Sequence, residues 1–271
     1  PLLHDPESLG PADALVIETT YGNRLHTPAS EARRELGEAI SAALGRGGKV
    51  IIPSFALERT QELVYHLTKL RANGEIPPVP VYIDSPMSVA ITRVFERNVG
   101  LLDREAKALH AETGQVVSPP FIRMVERIED SKAITSSTEP SITLSASGMC
   151  ENGRIRHHLK HGIENPANMV LLVGFQAVNT LGRKLQNGEK RVRIFGDEFK
   201  VAAEIRTLGA FSAHADKIEL YRCARDVRPK VAYLVHGEEK SRKAFSQLLR
   251  TQLNVNARCP RRGETADLGD L

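Results

Sequence analysis

Two hundred and seventy-one residues, at roughly 150 per domain, make one large domain or two ordinary ones, with enough chain to bury a real core. A hydrophobic fraction of 41% beside 26% charged residues excludes a disordered chain, and a net charge of +4 permits an acidic partner without requiring one. Aromatic residues are only 5% and Trp is absent, so stacking platforms are not the chain's main grip on a ligand. No apolar run approaches the roughly 18 residues that a bilayer span needs, which excludes a membrane-spanning helix. Cys150, Cys223 and Cys259 show no CxxC spacing. That argues against a disulfide framework or a thiolate zinc site and fits a reducing, cytoplasmic setting. The opening PLLHDPESLGPADALVIE has neither Met nor a signal-peptide pattern and reads as cut from something longer.

In chain order, short β-branched runs and stretches of helical spacing alternate. Residues 14–17 read as a strand, 30–44 as a helix, 50–52 as a strand and 58–70 as a helix. A strand over 79–83 and helices over 88–97 and 119–128 follow, then a strand over 142–144, a helix over 153–161 and a strand over 169–175. Residues 191–195 and 199–208 form two extended runs joined by Gly196-Asp197-Glu198, the pattern of a hairpin and a boundary between two lobes. A strand over 231–235 and a helix over 241–253 complete the set, and RCPRRGE reads as a solvated basic turn. Strands alternating with helices predict an α/β fold, its mostly parallel sheet covered on both faces.

Ligands of open α/β sheets gather beyond the carboxyl ends of the strands, which directs attention to the residues ending each run. These are Glu18, Asp84, Ser145 with Ser147, and His236, with His214 just past the hairpin's long strand. Asp84, followed by Ser-Pro, reads as a helix cap. His236 precedes a Gly that permits a tight turn and an imidazole left in an open crevice, which favours function. The junctions IIPSFALERTQEL, ITLSASGMCENGR and LLVGFQAVNTLGRKL run from a strand through small residues into a helix, with Arg59, Arg154 and Arg183 close behind. Such helix starts suit phosphates, and several together suit a polyanion. None matches the P-loop spacing GxxxxGK[ST], which argues against a nucleotide triphosphatase. His157 and His161 are spaced as a pair of helical zinc ligands but lack the Glu of HExxH, so an exposed helical face or a phosphate contact is favoured over metal.

ALVIETTYGNRLH, GGKVIIPSFALERTQELVYHL, ITLSASGMCENGRIRHHL, GFQAVNTLGRKL, EIRTLGAFSAHAD and AYLVHGE resemble, in order and spacing, the β-CASP branch of the metallo-β-lactamase superfamily. That branch includes the cleavage-and-polyadenylation endonuclease, its archaeal and bacterial relatives and, more distantly, RNase J. The resemblance implies a partial αββα metallo-β-lactamase domain (residues 1–19 and 199–271) with an inserted β-CASP domain (20–198), and an active site in the cleft between them. It implies a zinc-dependent ribonuclease acting on single-stranded RNA in the cytoplasm, with two zinc ions in the complete site. Glu18 matches the family's motif A acid, His214 its motif B histidine, a general acid, and His236 its motif C histidine, a zinc ligand. Ser54, Arg59, Ser147, Gly148, Thr180 and Arg183 would contact substrate.

The implied chemistry suits these residue types. Zinc generates a hydroxide near neutral pH, a protonated imidazole can protonate the departing 3′ oxygen, and a neighbouring carboxylate keeps that imidazole charged. The family's HxHxDH zinc motif is absent from the sequence. The expectation is therefore a chain that starts after the first half of the metallo-β-lactamase domain, needs that N-terminal half as a partner, and alone neither retains stoichiometric zinc nor cleaves RNA. TTYG stands where STYG is commoner, and AVNT replaces the usual Gly before Thr. The alternative is a catalytically silent RNA-binding module or truncated homologue. A small-molecule hydrolase of the superfamily is disfavoured by the long insertion between Glu18 and His214. Endonuclease and 5′ exonuclease both stay open, as does a homodimer.

Overall fold

The computed structural model describes residues 2–209 and 211–269. The chain enters through β1 (Ala14–Glu18), then builds α1 (Ala29–Gly45), β2 (Val50–Pro53), α2 (Arg59–Ala72), β3 (Val81–Ile83) and α3 (Pro86–Arg97). Next come α4 (Arg104–Thr113), β4 (Ile122–Met124), α5 (Ile128–Ser136), β5 (Ile142–Ser145), α6 (Ile155–Gly162), β6 (Met169–Leu172) and α7 (Leu181–Gln186). The strands β7 (Arg191–Ile194), β8 (Asp197–Lys200) and β9 (Glu204–Thr207) precede α8 (Lys217–Val227), β10 (Val231–Val235), α9 (Glu239–Leu253) and β11 (Asn256–Arg258). The α/β class with mostly parallel sheets holds. No described helix is long and apolar enough to cross a membrane.

Two compact units result. One is Pro1–His4 with Thr27–Ala213, the other Asp5–His26 with His214–Leu271. The larger unit carries a six-stranded sheet in the order β4-β3-β5-β2-β6-β9, every neighbouring pair parallel. Its central strands are apolar on both faces, as a doubly covered parallel sheet requires. Val50, Ile52, Ile142, Leu144, Met169 and Leu171 point into a core shared with α1 and α2. The alternate residues Ile51, Val170 and Leu172 join a second core with Ile155, Leu159, Leu181 and Val192, as the strand period of two dictates. Leu2 is buried in the first of these cores and exchanges hydrogen bonds with Asp103, which ties the chain's start to this unit. The smaller unit is a parallel sheet, β1-β10-β11, covered by α8 and α9 through Leu220, Ala224, Phe245 and Leu249.

Two expectations change. Residues 122–124 form an edge strand paired with β3, not the middle of a helix, because two prolines open the segment and the neighbouring strand edge is free to receive it. The hairpin is β7 against β8, turned at Phe195-Gly196, while β9 leaves it to run parallel to β6 and so keeps the chain in the larger unit through Ala213. The smaller unit holds the chain through His26, where Gly22 sits under Phe245 and Tyr21 bridges to Asp216.

Candidate active site

β1 and β10 run in register, Glu18 opposite Val235, so their ends bring Glu18 and His236 side by side. The strand ends are sewn together: Thr19 Oγ1 donates to the Val235 carbonyl at 2.9 Å and Thr20 Oγ1 to that of His236 at 3.0 Å. Ser241 Oγ donates to the Thr19 carbonyl at 2.5 Å. The Thr20 amide donates to Glu18 Oε2 at 2.6 Å, which fixes the carboxylate, and Thr20 Oγ1 lies 3.2 Å from His236 Nδ1. His236 itself takes the left-handed backbone, φ 46°. The chain bends at His236-Gly237 and leaves His236 exposed, with the left-handed conformation on the histidine and not on Gly237. A Cβ there would lie 2.6 Å from the Thr19 carbonyl oxygen, so the glycine serves close approach.

His214 arrives from the loop before α8. Its Nδ1 lies 3.5 Å from Glu18 Oε1, and its ring stands 5.1 Å from that of His236 with planes 32° apart. One donor atom each from Glu18, His214 and His236 falls within 4.8 Å of the others. Among the described residues this is the one such group of three or more, and it excludes the His157/His161 pair. All three side chains remain open to solvent in part.

Sequence reasoning gave His26 no role. Its Nε2 lies 2.8 Å from the His214 carbonyl oxygen, and its amide donates to Asp216 Oδ2 at 3.1 Å. Asp216 caps α8 through a reciprocal pair with Glu219. Partial burial opposes its ionisation, but amide hydrogen bonds from Glu219, His26 and Ile218 prevail and hold its carboxyl below the ordinary value. The Tyr21 ring stands edge-on to both His26 and His214, at 4.9 and 6.4 Å. The final His of TTYGNRLH was the available signal, but no spacing rule marks it.

The larger unit knits the loops after β5 and β6 into one surface. Ser147 Oγ accepts from the amides of Glu151 and Asn152, and Gln176 Nε2 donates to the Gly148 carbonyl. Thr180 caps α7 by accepting from the Arg183 amide, and Arg183 Nε donates to the Gln176 carbonyl at 2.6 Å. Gly148 lies under the Phe55 ring, where a Cβ would approach to 2.9 Å. Ser147, Gly148, Thr180 and Arg183 are therefore joined. Ser54 and Arg59 are not available in the same way. Ser54 is 1% exposed and spends its hydroxyl on Thr60, while Arg59 is 4% exposed and paired with Glu62, one turn along α2.

Asp84 departs furthest from expectation. Ser85, not Asp84, caps α3. The Asp84 carboxylate is fully buried and accepts from Arg154 at 2.7 Å, His158 at 2.6 Å and Ser131 at 2.6 Å. Burial opposes its ionisation, but hydrogen bonds from His158, Ser131 and Arg154 outweigh it and hold the carboxyl below its ordinary value. This network ties α6 and the residue before it to the end of β3 and to α5.

Residues 60–185 match the Beta-Casp domain, and residues 198–260 match the Zn-dependent metallo-hydrolase RNA specificity domain. The chain belongs to the β-CASP metallo-β-lactamase family. A family relative from Thermus thermophilus, "Ribonuclease TTHA0252", is 39% identical over 248 residues, 92% of this chain and 57% of that protein. "Transcription termination factor FttA" of Thermococcus kodakarensis is 32% identical over 259 residues, covering 92% and 40%. An "RNase J-like protein" of Methanocaldococcus jannaschii is 31% identical over 254 residues, covering 93% and 58%. This β-CASP chain thus spans about half the length of the curated relatives it matches. Glu18, His214 and His236 lie outside residues 60–185, and the second matched segment contains both histidines.

Proposed function

We propose that the chain forms the β-CASP and RNA-specificity part of a zinc-dependent ribonuclease that hydrolyses phosphodiester bonds of single-stranded RNA. The observation that carries this reading is the convergence of Glu18, His214 and His236, residues of three separate sequence motifs, within 4.8 Å. Two imidazoles and a carboxylate are donors zinc accepts, and three protein ligands with one open position characterise single catalytic zinc sites. With His214 and Glu18 given to proton transfer, His236 is a single ligand and falls short of the three that hold a catalytic zinc, so the residues present fit the metal only as part of a larger donor set. When bound, zinc supplies a Lewis acid for the phosphate and a hydroxide near neutral pH.

The chain's own residues supply the rest. His236 is the metal ligand, held by its place at the end of β10 beside Thr20. His214 gives its proton to the departing 3′ oxygen as the P–O3′ bond breaks, and Glu18 orients the imidazole through Nδ1. His26 holds the His214 backbone in place. Ser147, Thr180 and Arg183 contact the RNA backbone, a role for which Ser54 and Arg59, and Gly148 buried beneath the Phe55 ring, are too deeply committed.

In the full-length product of the gene, His236→Ala is expected to lower both zinc content and RNA cleavage. His214→Ala is expected to lower cleavage at least a hundredfold with zinc retained, the usual scale of general acid–base catalysis. The 271-residue chain alone is expected to hold fewer than two zinc ions by metal analysis and to leave RNA intact. Wild-type turnover in both variants would refute the roles. RNA binding without cleavage by the full-length product would favour a silent RNA-binding module instead.

A further inference from the structure

α6 turns Ile155, His158 and Leu159 inward and leaves Arg156, His157, Lys160 and His161 toward solvent in varying degree. Against that face rests the tip of the β7–β8 hairpin. Its two-residue turn is Phe195-Gly196, with φ 55° and 93°, the left-handed pair of a type I′ turn. Asn or Gly suits the first of these positions, and a bulky aromatic there is strained.

Hairpin anchoring does not account for the phenylalanine. Val192 and Ile194 already bury the hairpin in the second core, and Lys160 bonds Asp197 at 3.1 Å. Phe195 stays 43% exposed. Its ring lies 4.7 Å from that of His157, and the Arg156 guanidinium sits 4.1 Å from the ring centre. Among the described residues, Arg156, His157 and His161 have no carboxylate within 4.0 Å. Burial, followed by the charges of His161, His158, Arg156 and Lys160, presses His157 below the ordinary histidine value, which leaves its ring to offer hydrogen bonds rather than charge. An exposed ring beside an unneutralised guanidinium matches the chemistry of single-stranded nucleic acid, whose bases stack while its phosphates pair with positive charge.

We infer that Phe195, with Arg156, His157, Lys160 and His161, is an auxiliary contact for single-stranded RNA. A nucleobase stacks on the Phe195 ring, and the adjoining phosphates lie on Arg156 and Lys160, within hydrogen-bond reach of the two imidazoles. The inference rests on the RNA reading above, and it is separate from the residues assigned to cleavage.

The test compares the 271-residue chain with Phe195→Asn, Phe195→Trp and Arg156→Gln, using a short fluorescein-labelled oligoadenylate and, as a competitor without bases, inorganic polyphosphate. Asn suits the turn, so Phe195→Asn should unfold at the same temperature as the parent or higher while binding RNA about five- to a hundredfold more weakly. Its affinity for polyphosphate should be unchanged, and Phe195→Trp should bind RNA as the parent does. Arg156→Gln should weaken both ligands and reduce the salt slope of RNA binding by about one ion. Parent-like RNA affinity in folded Phe195→Asn overturns the inference, as does equal loss of RNA and polyphosphate. If the parent chain binds no RNA, the inference falls together with the RNA reading. RNA cleavage that depends on His214 in the full-length product, beside an indifferent Phe195, overturns the inference alone.

Discussion

Removal of the Asp84 carboxylate tests whether the buried polar network holds the larger unit together. Asp84→Ala takes away the acceptor of three hydrogen bonds, each 2.6–2.7 Å long, at a site closed to water. Arg154 keeps the carbonyls of Val125 and Glu126, and its side chain is 17% exposed, so part of its charge finds other solvation. Ser131 and His158 are buried and lose these acceptors outright. Breaking a buried pair by deleting one partner costs about 3–5 kcal/mol. At about 2–4 °C per kcal/mol for a unit of this size, the melting temperature should fall by about 6–20 °C. Asp84→Asn retains shape and part of the hydrogen bonding and should lose roughly half as much.

Urea titration followed by circular dichroism, on parent and both variants, measures these differences. The sign of the pH dependence is fixed by the depressed carboxyl. Its contribution is complete above the ordinary aspartate value of about 3.9 and is lost as the pH falls through the lower folded value. Asp84→Asn should remove that component. A loss below about 1 kcal/mol for Asp84→Ala, the scale of a surface substitution, would refute the reasoning.

Two further outcomes follow from other buried positions. Burial, with Arg33, Lys69 and Arg59 adding to it, pushes His66 down to about 4, even though Glu62 lies 3.9 Å away, because that carboxylate is engaged by Arg59. The unfolded chain takes up the proton first, so stability should decline by up to about 3 kcal/mol as the pH falls from about 6.5 to about 4. His66→Leu should flatten that component of the curve in denaturant titrations, and an unchanged slope would count against it. Gly237→Ala places a methyl group 2.6 Å from the Thr19 carbonyl oxygen, so it should cost about 1–3 kcal/mol and weaken zinc binding by the full-length product. Parent-like stability and metal content would show that the β1–β10 ends yield without loss.

The elements most legible in the sequence were those whose surroundings impose one answer. β2, β5 and β6 are buried throughout, and a strand closed off on both faces reads as an unbroken apolar run. Glu18 and His236 were picked out because they end the apolar runs of β1 and β10, of which β10 is buried over most of its length while β1 exposes Val16. Residues 119–128 misled because a short apolar pattern fits both periods, and only the free edge of β3 decides it. α4 and α5 passed unseen because each buries little: Ala106 in one, Ser131 and Ile134 in the other. α8 was legible through its Asp216-x-x-Glu219 capping pair but was not recognised. Asp84 was misjudged, and Arg59 is more deeply buried than its place suggests, for a common reason. A charged residue at a strand-to-helix junction looks exposed until its partners, Glu62 or Arg154 and His158, are known to enclose it.

The pairing of β1 with β10 imposes an order on biosynthesis. Thr20 leaves the ribosome 216 positions before His236, its hydrogen-bond partner. At bacterial or eukaryotic elongation rates that interval is roughly 10–40 s, during which β1 lacks β10, the strand it pairs with. The larger unit can condense meanwhile, since most of its strands are already translated. Glu18 therefore stays apart from both histidines while the intervening chain is made, and the three-residue cluster comes into being only once β10 has been translated.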